Sequence, residues 1–262
     1  MITSVKNEQV KRLVQLRKSS AARNREGVFL AEGKRLFEEI PEADLETVYV
    51  SETFLAKEKP RLPRNTAVEI LTDKVFAHAA DTETPQGILA VARQRQASLD
   101  ALLNIKDPNF LILENLQDPG NLGTIFRTGE GAGITGIILN RGCVDVYNPK
   151  VVRGSMGSIL RVPFAVVDSL TDTLAELKKS GVRSFAAYLD GSRRYYEESY
   201  LGGVAFLIGN EGNGLSRETA EAADVRIRIP MRGKVESLNA AIAVSILEYE
   251  AFRQRERAGE SN

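Results

Sequence analysis

The 262-residue chain contains one cysteine, one histidine and no tryptophan. A single cysteine, Cys143, cannot form an internal disulfide, which fits a reducing compartment. With His78 as the only histidine, metal centres built from Cys and His clusters are excluded. No apolar run approaches the roughly 18 residues that span a bilayer. The first residues, MITSVKNEQVKRL, carry charges where a secretory leader would need an apolar centre. The expected location is therefore the cytoplasm, with neither a membrane nor a metal as partner. Net charge is also missing, since 35 basic residues balance 35 acidic ones.

What is present is unevenly placed. Between Lys6 and Arg25 there are seven cations (Lys6, Lys11, Arg12, Arg17, Lys18, Arg23 and Arg25) against one acid, Glu8. Such a stripe suits a polyanion, because Lys and Arg that neutralise phosphates release condensed counterions. Taken alone, a charge run of this kind reads first as a solvated helix face.

Hydrophobic patterning divides the chain in two. In the first part, VKNEQVKRLVQLRK reads as a helix with Val10, Leu13, Val14 and Leu16 on one side, while GVFLAE, ETVYVS, AVEILT and GILAVA read as strands. GKRLFEEI and DKVFAHAA are helices between them. This predicts a small α/β domain over residues 1–97, a connector over 98–107, and a second domain over 108–262. In the second part NFLILENL, ITGIILN, VRSFAAYLD, VAFLIG and VRIRIPM are strands, separated by helices such as TDTLAELKKSG. Alternation of this kind predicts a mostly parallel sheet covered on both faces. The last helix, SLNAAIAVSILEYEAFRQRER, is expected to bury Leu238, Ala241, Ile242, Ser245, Ile246, Tyr249 and Phe252.

Gly131–Gly136, GAGITG, has the G-x-G-x-x-G spacing of a dinucleotide-binding loop. That loop needs a strand before it and a helix opening on it. Here the glycines follow a helix and precede the strand ITGIIL, so no helix N-terminus faces them. They are read as a helix-to-strand turn.

Three other segments place glycines and neutral polar residues beside strand ends: NLQDPGNLGTIFRTGEGAG from Asn115, FLIGNEGNGLS from Phe206 and IPMRGKVESLNAAIA from Ile229. Open α/β sheets bind ligands at such places. Together, and in this order, they resemble the motif set of the SpoU-type RNA 2′-O-ribose methyltransferases of the SPOUT superfamily. The likeness covers about Phe110 to Arg255. The first part is similar to the ribosomal-protein-like substrate-binding domain that often precedes that catalytic domain. One departure is Ala240, where many relatives have Val.

The resemblance implies methyl transfer from S-adenosylmethionine to a ribose 2′-hydroxyl of structured RNA, with rRNA favoured over tRNA. A non-catalytic RNA-binding or ribosome-assembly factor on the same fold is the alternative. It also implies a deep trefoil knot and a homodimer formed through the C-terminal domain. The residues implied for catalysis are Arg127, Asn121, Glu211, Ser237 and Asn239, with Asn115 a weaker candidate. A guanidinium is almost always protonated, so stabilising the developing alkoxide and gripping a phosphate is the safer physical role for Arg127. Ser237 is also a candidate cap of the last helix. The implied cofactor pocket comprises Gly209, Ile229 and Leu238, lined by Leu207, Ile208, Pro230, Met231 and Gly233. Beside such a domain, contact with RNA becomes the better reading of Lys11, Arg12, Arg17, Lys18, Arg23 and Arg25. Arg153 is a candidate for a site shared between two copies. Tyr195 and Tyr196, next to Arg193 and Arg194, either stack on bases or pack at the domain edge. Cys143 and the distant His78 are read as packing and helix-surface residues.

Overall fold

A computed structural model describes residues 1–58, 60–190 and 193–260. The chain forms two compact units. One is Met1–Arg95 together with Asp145–Leu160, and the other is Gln96–Val144 together with Arg161–Asn262.

The first unit runs α1 (Glu8–Lys18), α2 (Ser20–Glu26), β1 (Val28–Glu32), α3 (Lys34–Glu39), β2 (Leu45–Ser51), α4 (Glu52–Glu58), β3 (Ala67–Leu71), α5 (Asp73–Ala79) and β4 (Ile88–Arg93). Its sheet has the order β1-β4-β2-β3, with β4 antiparallel to both neighbours and β2 parallel to β3. Asn7 caps α1, its side chain accepting from the Gln9 N–H at 2.8 Å. The apolar side of α1 (Val10, Leu13, Leu16) packs with Val75, Phe76 and Ala79 of α5 and with Leu30, Tyr49, Leu89 and Val91 of the sheet. These are the periodicities expected from sequence.

The second unit contains α6 (Leu99–Leu103), β5 (Asn109–Leu113), α7 (Pro119–Gly131) and β6 (Gly136–Asn140). The segment that belongs to the first unit then supplies α8 (Pro149–Gly154), which packs on β1. The second unit resumes with β7 (Phe164–Val167), α9 (Leu170–Lys179), β8 (Arg183–Ala187), β9 (Arg193–Arg194), β10 (Val204–Ile208), α10 (Arg217–Ala222), β11 (Val225–Arg228) and α11 (Ala240–Glu260). The expected connector carries α6, whose Leu102 is buried with the core of the second unit.

The seven strands have the order β7-β6-β5-β10-β8-β11-β9, and every pairing is parallel. From β5 the chain builds outward to β6 and β7, whereas β8, β10 and β11 lie on the other side. The direction of winding thus reverses between β5 and β10. In open α/β sheets that reversal leaves a crevice at the carboxyl ends of the two strands. One face carries Ile112, Ala186 and Leu207, packed with Leu174 and Leu177 of α9 and Ala220 of α10. On the other face Phe185, Tyr200 and Phe206 meet ring to ring, with centroids 4.8 to 5.8 Å apart.

The last helix is rotated from the expected stripe. Ala240, Ala241, Val244, Leu247 and Ala251 are buried, whereas Ile242 is 50% exposed, Tyr249 48% and Phe252 38%. α11 has two apolar stripes, and the one with the small residues packs inward, where α11 meets α7. The GAGITG stretch closes α7 and turns into β6, with Gly133 at φ +78°. A left-handed backbone there favours glycine, so the spacing serves the turn and not a dinucleotide.

Candidate functional site

The segments following β5 and β10 meet at the reversal of the sheet. Asp118 caps α7, accepting from the Asn121 N–H at 2.7 Å, with Pro119 in the first turn. This start leaves the N–H groups of Gln117 and Asp118 pointing out of the helix, and Glu211 takes both, at 3.1 and 3.0 Å. Asn121 Nδ2 donates to the same carboxylate at 3.0 Å. Burial by itself would raise the Glu211 carboxyl. The donors from Asn121, Asp118 and Gln117 outweigh it and hold the group below the ordinary glutamate value.

Asn121 faces two ways. Its Oδ1 accepts from Asn239 Nδ2 at 2.8 Å, and Asn239 Oδ1 in turn accepts from the N–H groups of Ala241 and Ile242 at 2.9 and 3.3 Å. The cap of α11 is therefore Asn239. Ser237, the other cap candidate, lies two residues upstream in irregular chain, exposed and without a hydrogen bond among the described residues. The longer Asn side chain bonds two N–H groups of the first turn and still has an amide to spare for Asn121.

The loop after β10 is tightly made. Asn210 N–H donates to Gly214 O at 3.0 Å and Gly214 N–H to Asn210 O at 2.8 Å, while Asn210 Oδ1 accepts from Gly212 and Asn213. A Cβ on Gly209 would lie 2.0 Å from the Gly214 carbonyl carbon, so the chain's own backbone demands glycine there. Asn210 Nδ2 reaches Asn115 O at 2.8 Å. Asn115 holds a left-handed backbone (φ +54°) and is gripped by Asn140, which accepts from its N–H at 2.9 Å and donates to its Oδ1 at 3.0 Å. Behind this, Glu114 is buried and accepts from Ser216 N–H and Oγ and from Thr219 Oγ1, tying the end of β5 to the start of α10.

The structure therefore joins Asn121, Glu211 and Asn239, from three separate segments, in one network, with Asn115 at its edge. Arg127 stands apart. It lies six residues beyond Asn121, roughly 9 Å along α7, exposed and without a hydrogen bond or ion pair among the described residues. Of the cofactor candidates, Leu207 and Ile208 are buried in β10, and the Ile208 carbonyl accepts from the Glu114 N–H at 2.9 Å. Gly209 begins the loop. Ile229, Met231 and Leu238 are half-buried, and Pro230 and Gly233 are exposed. From Met231 to Leu238 no main-chain group bonds another main-chain group among the described residues.

The basic stripe of the first unit separates into two sets. Arg23 is 2% exposed, its Nε 2.9 Å from Asp145 Oδ2 and its Nη1 donating to Leu16 O at 2.6 Å. Arg12 pairs with Glu26 at 2.8 Å and Glu46 at 2.6 Å. Arg17 donates to the carbonyls of His78, Ala79 and Ala80 at the end of α5. These three guanidinia hold the unit together, and Arg23 in particular is withdrawn from any surface ligand. Lys11, Lys18 and Arg25 are exposed. Arg153 is ion-paired with Asp81. Burial pushes the Cys143 thiol up to about 11 and its Sγ donates to Leu113 O, which makes it a packing residue. His78 is exposed in the last turn of α5.

Sequence reasoning did not single out Asn140, Asn210, Gln117 or Glu114. Asn210 had a signal in its place within GNEGNG. Asn140 had none, because its partner lies 25 residues away.

Geometry of this kind, a parallel sheet whose winding reverses beneath a carboxylate-and-amide network, defines a ligand-binding α/β domain. Residues 108–249 match the model of the SpoU rRNA Methylase family, and residues 7–90 that of the MRM3-like substrate binding domain. The chain belongs to the SpoU family. It is 33% identical over 252 residues to the 23S rRNA (guanosine(2553)-2′-O)-methyltransferase RlmP of Bacillus subtilis, covering 95% of this chain and 97% of that one. Among solved structures it resembles an AdoMet-bound rRNA methyltransferase from Sinorhizobium meliloti, with TM-score 0.87, 31% identity and coverage of 96% and 97%. It also resembles the SpoU methyltransferase AviRb from Streptomyces viridochromogenes, with TM-score 0.86, 27% identity and coverage of 96% and 99%.

Proposed function

We propose that this protein transfers the methyl group of S-adenosylmethionine to a ribose 2′-hydroxyl of RNA, with large-subunit rRNA ahead of tRNA as substrate. The observation that carries the reading is the network through Glu211, Asn121 and Asn239 at the switch point, with a free guanidinium on the same helix. The full-length likeness to an rRNA 2′-O-methyltransferase supports rRNA.

The residues around the loop ends suit this cofactor. A free stretch of main chain from Met231 to Leu238 offers donors and acceptors for an adenosine. Ile229, Met231 and Leu238 offer half-buried apolar surface beside it, and Leu207, Ile208 and Gly209 stand at the end of β10 and the start of its loop. Pro230 and Gly233 shape the same segment, within what we take to be a trefoil knot. S-adenosylmethionine supplies a methyl already activated on a sulfonium.

The chain's task is then to favour a poor nucleophile. Arg127 is free to stabilise the alkoxide developing on the 2′-oxygen and to grip the adjacent phosphate. Glu211 is unsuited to act as a base, because its oxygens already accept three hydrogen bonds. It is a positioning residue that locks the loop after β10 onto the start of α7. Asn121 and Asn239 transmit that alignment to α11 without adding a second charge. Ser237, exposed and two residues before Asn239, is assigned to the substrate side of the site.

The first unit, residues 1–97 in the sequence reading, grips the RNA through Lys11, Lys18 and Arg25. The protein works as a homodimer through its C-terminal domain in the cytoplasm. The exposed α11 stripe supports this: Ile242, Tyr249 and Phe252 form an apolar face. It continues onto α7, where a Cβ on Gly131 would lie 3.2 Å from Tyr249 Oη. Light scattering of the wild type against Tyr249→Asp reads the oligomeric state.

The deciding experiment is methyl transfer from labelled S-adenosylmethionine to rRNA by the wild type and Arg127→Ala. The variant should keep cofactor affinity by calorimetry and lose turnover. Normal turnover would remove Arg127 from the reaction, and no transfer by the wild type to rRNA or tRNA would end the proposal.

A further inference from the structure

The far edge of the seven-stranded sheet carries a row of cations with few counter-charges. β11 alternates, with Ile227 buried and Arg226 and Arg228 exposed on the opposite face. β9 adds beside it in parallel, placing Arg194 in register with Arg228 and Arg193 with Ile227. Neighbouring strands lie about 4.8 Å apart and residues in register share a face, so the stems of Arg194 and Arg228 stand side by side. Like charges set opposite one another in a sheet are destabilising.

The surrounding acids offset that repulsion only in part. Glu198 is buried and taken by Arg183 and Arg193, at 2.9 and 2.7 Å. Glu197 lies 3.7 Å from Arg194, both of them half in solvent. Glu221 senses the charge of Arg226 but is bonded to Arg217 at 2.7 Å. Arg226 and Arg228 make no hydrogen bond or ion pair among the described residues. Beyond the strand the chain continues through Arg232 and Lys234, both exposed and likewise without a partner among those residues. From Arg226 to Glu236 there are four cations and one acid, Glu236 itself. This segment runs directly into Ser237–Asn239.

We propose that Arg194, Arg226 and Arg228, continuing into Arg232 and Lys234, form a track for the phosphodiester backbone of the RNA that the site modifies. The inference rests on the methyltransferase reading and adds to it a second RNA contact, on the catalytic domain. A phosphate between Arg194 and Arg228 turns their mutual repulsion into two charge-assisted contacts, a geometry for which guanidinium is suited. Backbone contacts of this kind fix register and orientation and read no base. The track therefore presents a strand to the site without selecting the nucleotide.

The test uses the full-length protein with Arg194→Gln, Arg226→Gln and Arg228→Gln combined, and a transcript of large-subunit rRNA as probe. Filter binding between about 50 and 200 mM salt should show an RNA Kd at least about tenfold weaker, and a salt slope smaller by about 1.5, as expected when two phosphates, one of them shared by Arg194 and Arg228, lose their partners. Cofactor affinity by calorimetry should be unchanged. Tm should be equal or higher, because a like-charge contact has been removed. In turnover, KM for RNA should rise while kcat holds. An unchanged Kd and slope would overturn the track, as would a fall in Tm and cofactor affinity that accounts for the lost binding. If the wild type binds this RNA but transfers no methyl to it, the enzymatic reading fails, and the slope still judges the track. If the wild type methylates and the variant binds and turns over equally well, the track alone fails.

Discussion

Asn239 Nδ2 donates to Asn121 Oδ1 at 2.8 Å, joining residues 118 positions apart in sequence. The bond fixes which way the Asn121 amide points, so that its own Nδ2 meets Glu211. One side chain thus starts the last helix and orients the first motif.

Asn239→Asp separates those two tasks. Aspartate caps helices as well as asparagine does and still accepts from Ala241 and Ile242. It cannot donate to Asn121. Tm should move by no more than about 3 °C, while kcat falls between about ten- and a hundredfold through misalignment. Thermal melts and single-turnover methylation check both halves, and an unchanged kcat would take Asn239 out of the relay.

Glu248 should make stability depend on pH. It is fully buried on α11, and Asn109 of β5 donates to its Oε2 at 2.6 Å. Its Oε1 and the Asn109 Oδ1 are buried without a donor among the described residues. The charge of Arg255 favours its ionised form, but that guanidinium is already bonded to the carbonyls of Tyr200, Pro108 and Gly202. Burial wins and pushes the carboxyl up to about 8. A proton on Glu248 removes the buried charge and supplies the donor that the pair lacks. The folded state therefore holds a proton that the unfolded chain releases near its ordinary value of 4.5. Stability should fall as pH rises from about 4.5 to about 8, by an amount on the order of a few kcal/mol, and level off above. Glu248→Gln keeps the shape without the titration. Denaturant melts across that range should be flatter for the variant, and a wild-type profile that rises over the same window would contradict the assignment.

The cations of the first unit should behave as two sets. Arg23→Gln leaves Asp145 without its buried partner and should destabilise by about 3 kcal/mol or more. Lys11→Gln, Lys18→Gln and Arg25→Gln combined should leave Tm nearly unchanged and weaken RNA binding with a smaller salt slope. If the triple variant binds RNA like the wild type, the first unit does not grip it through this surface.

Much of this molecule follows from local pattern. Val10, Leu13 and Leu16 recur at the helical period and are buried together. β5, β6, β7 and β10 read as apolar runs, because a parallel sheet covered on both faces leaves few strand positions for polar residues. The motif order identified the family before any contact was known, since glycine and asparagine at strand ends are written in the sequence itself.

Tertiary structure decided which charges are used up and which helix face turns inward. Arg23 and Arg25 are alike in sequence, but Asp145, 122 residues away, buries one and leaves the other in solvent. α11 offers two apolar stripes, and the one with Ala240, Ala241 and Ala251 lies inward because small side chains let it approach α7 closely. Asn140 became part of the site only when β5 and β6 paired. Composition and period act over a few residues and survive in the sequence, whereas desolvation and ion pairing depend on neighbours that only the folded chain brings together.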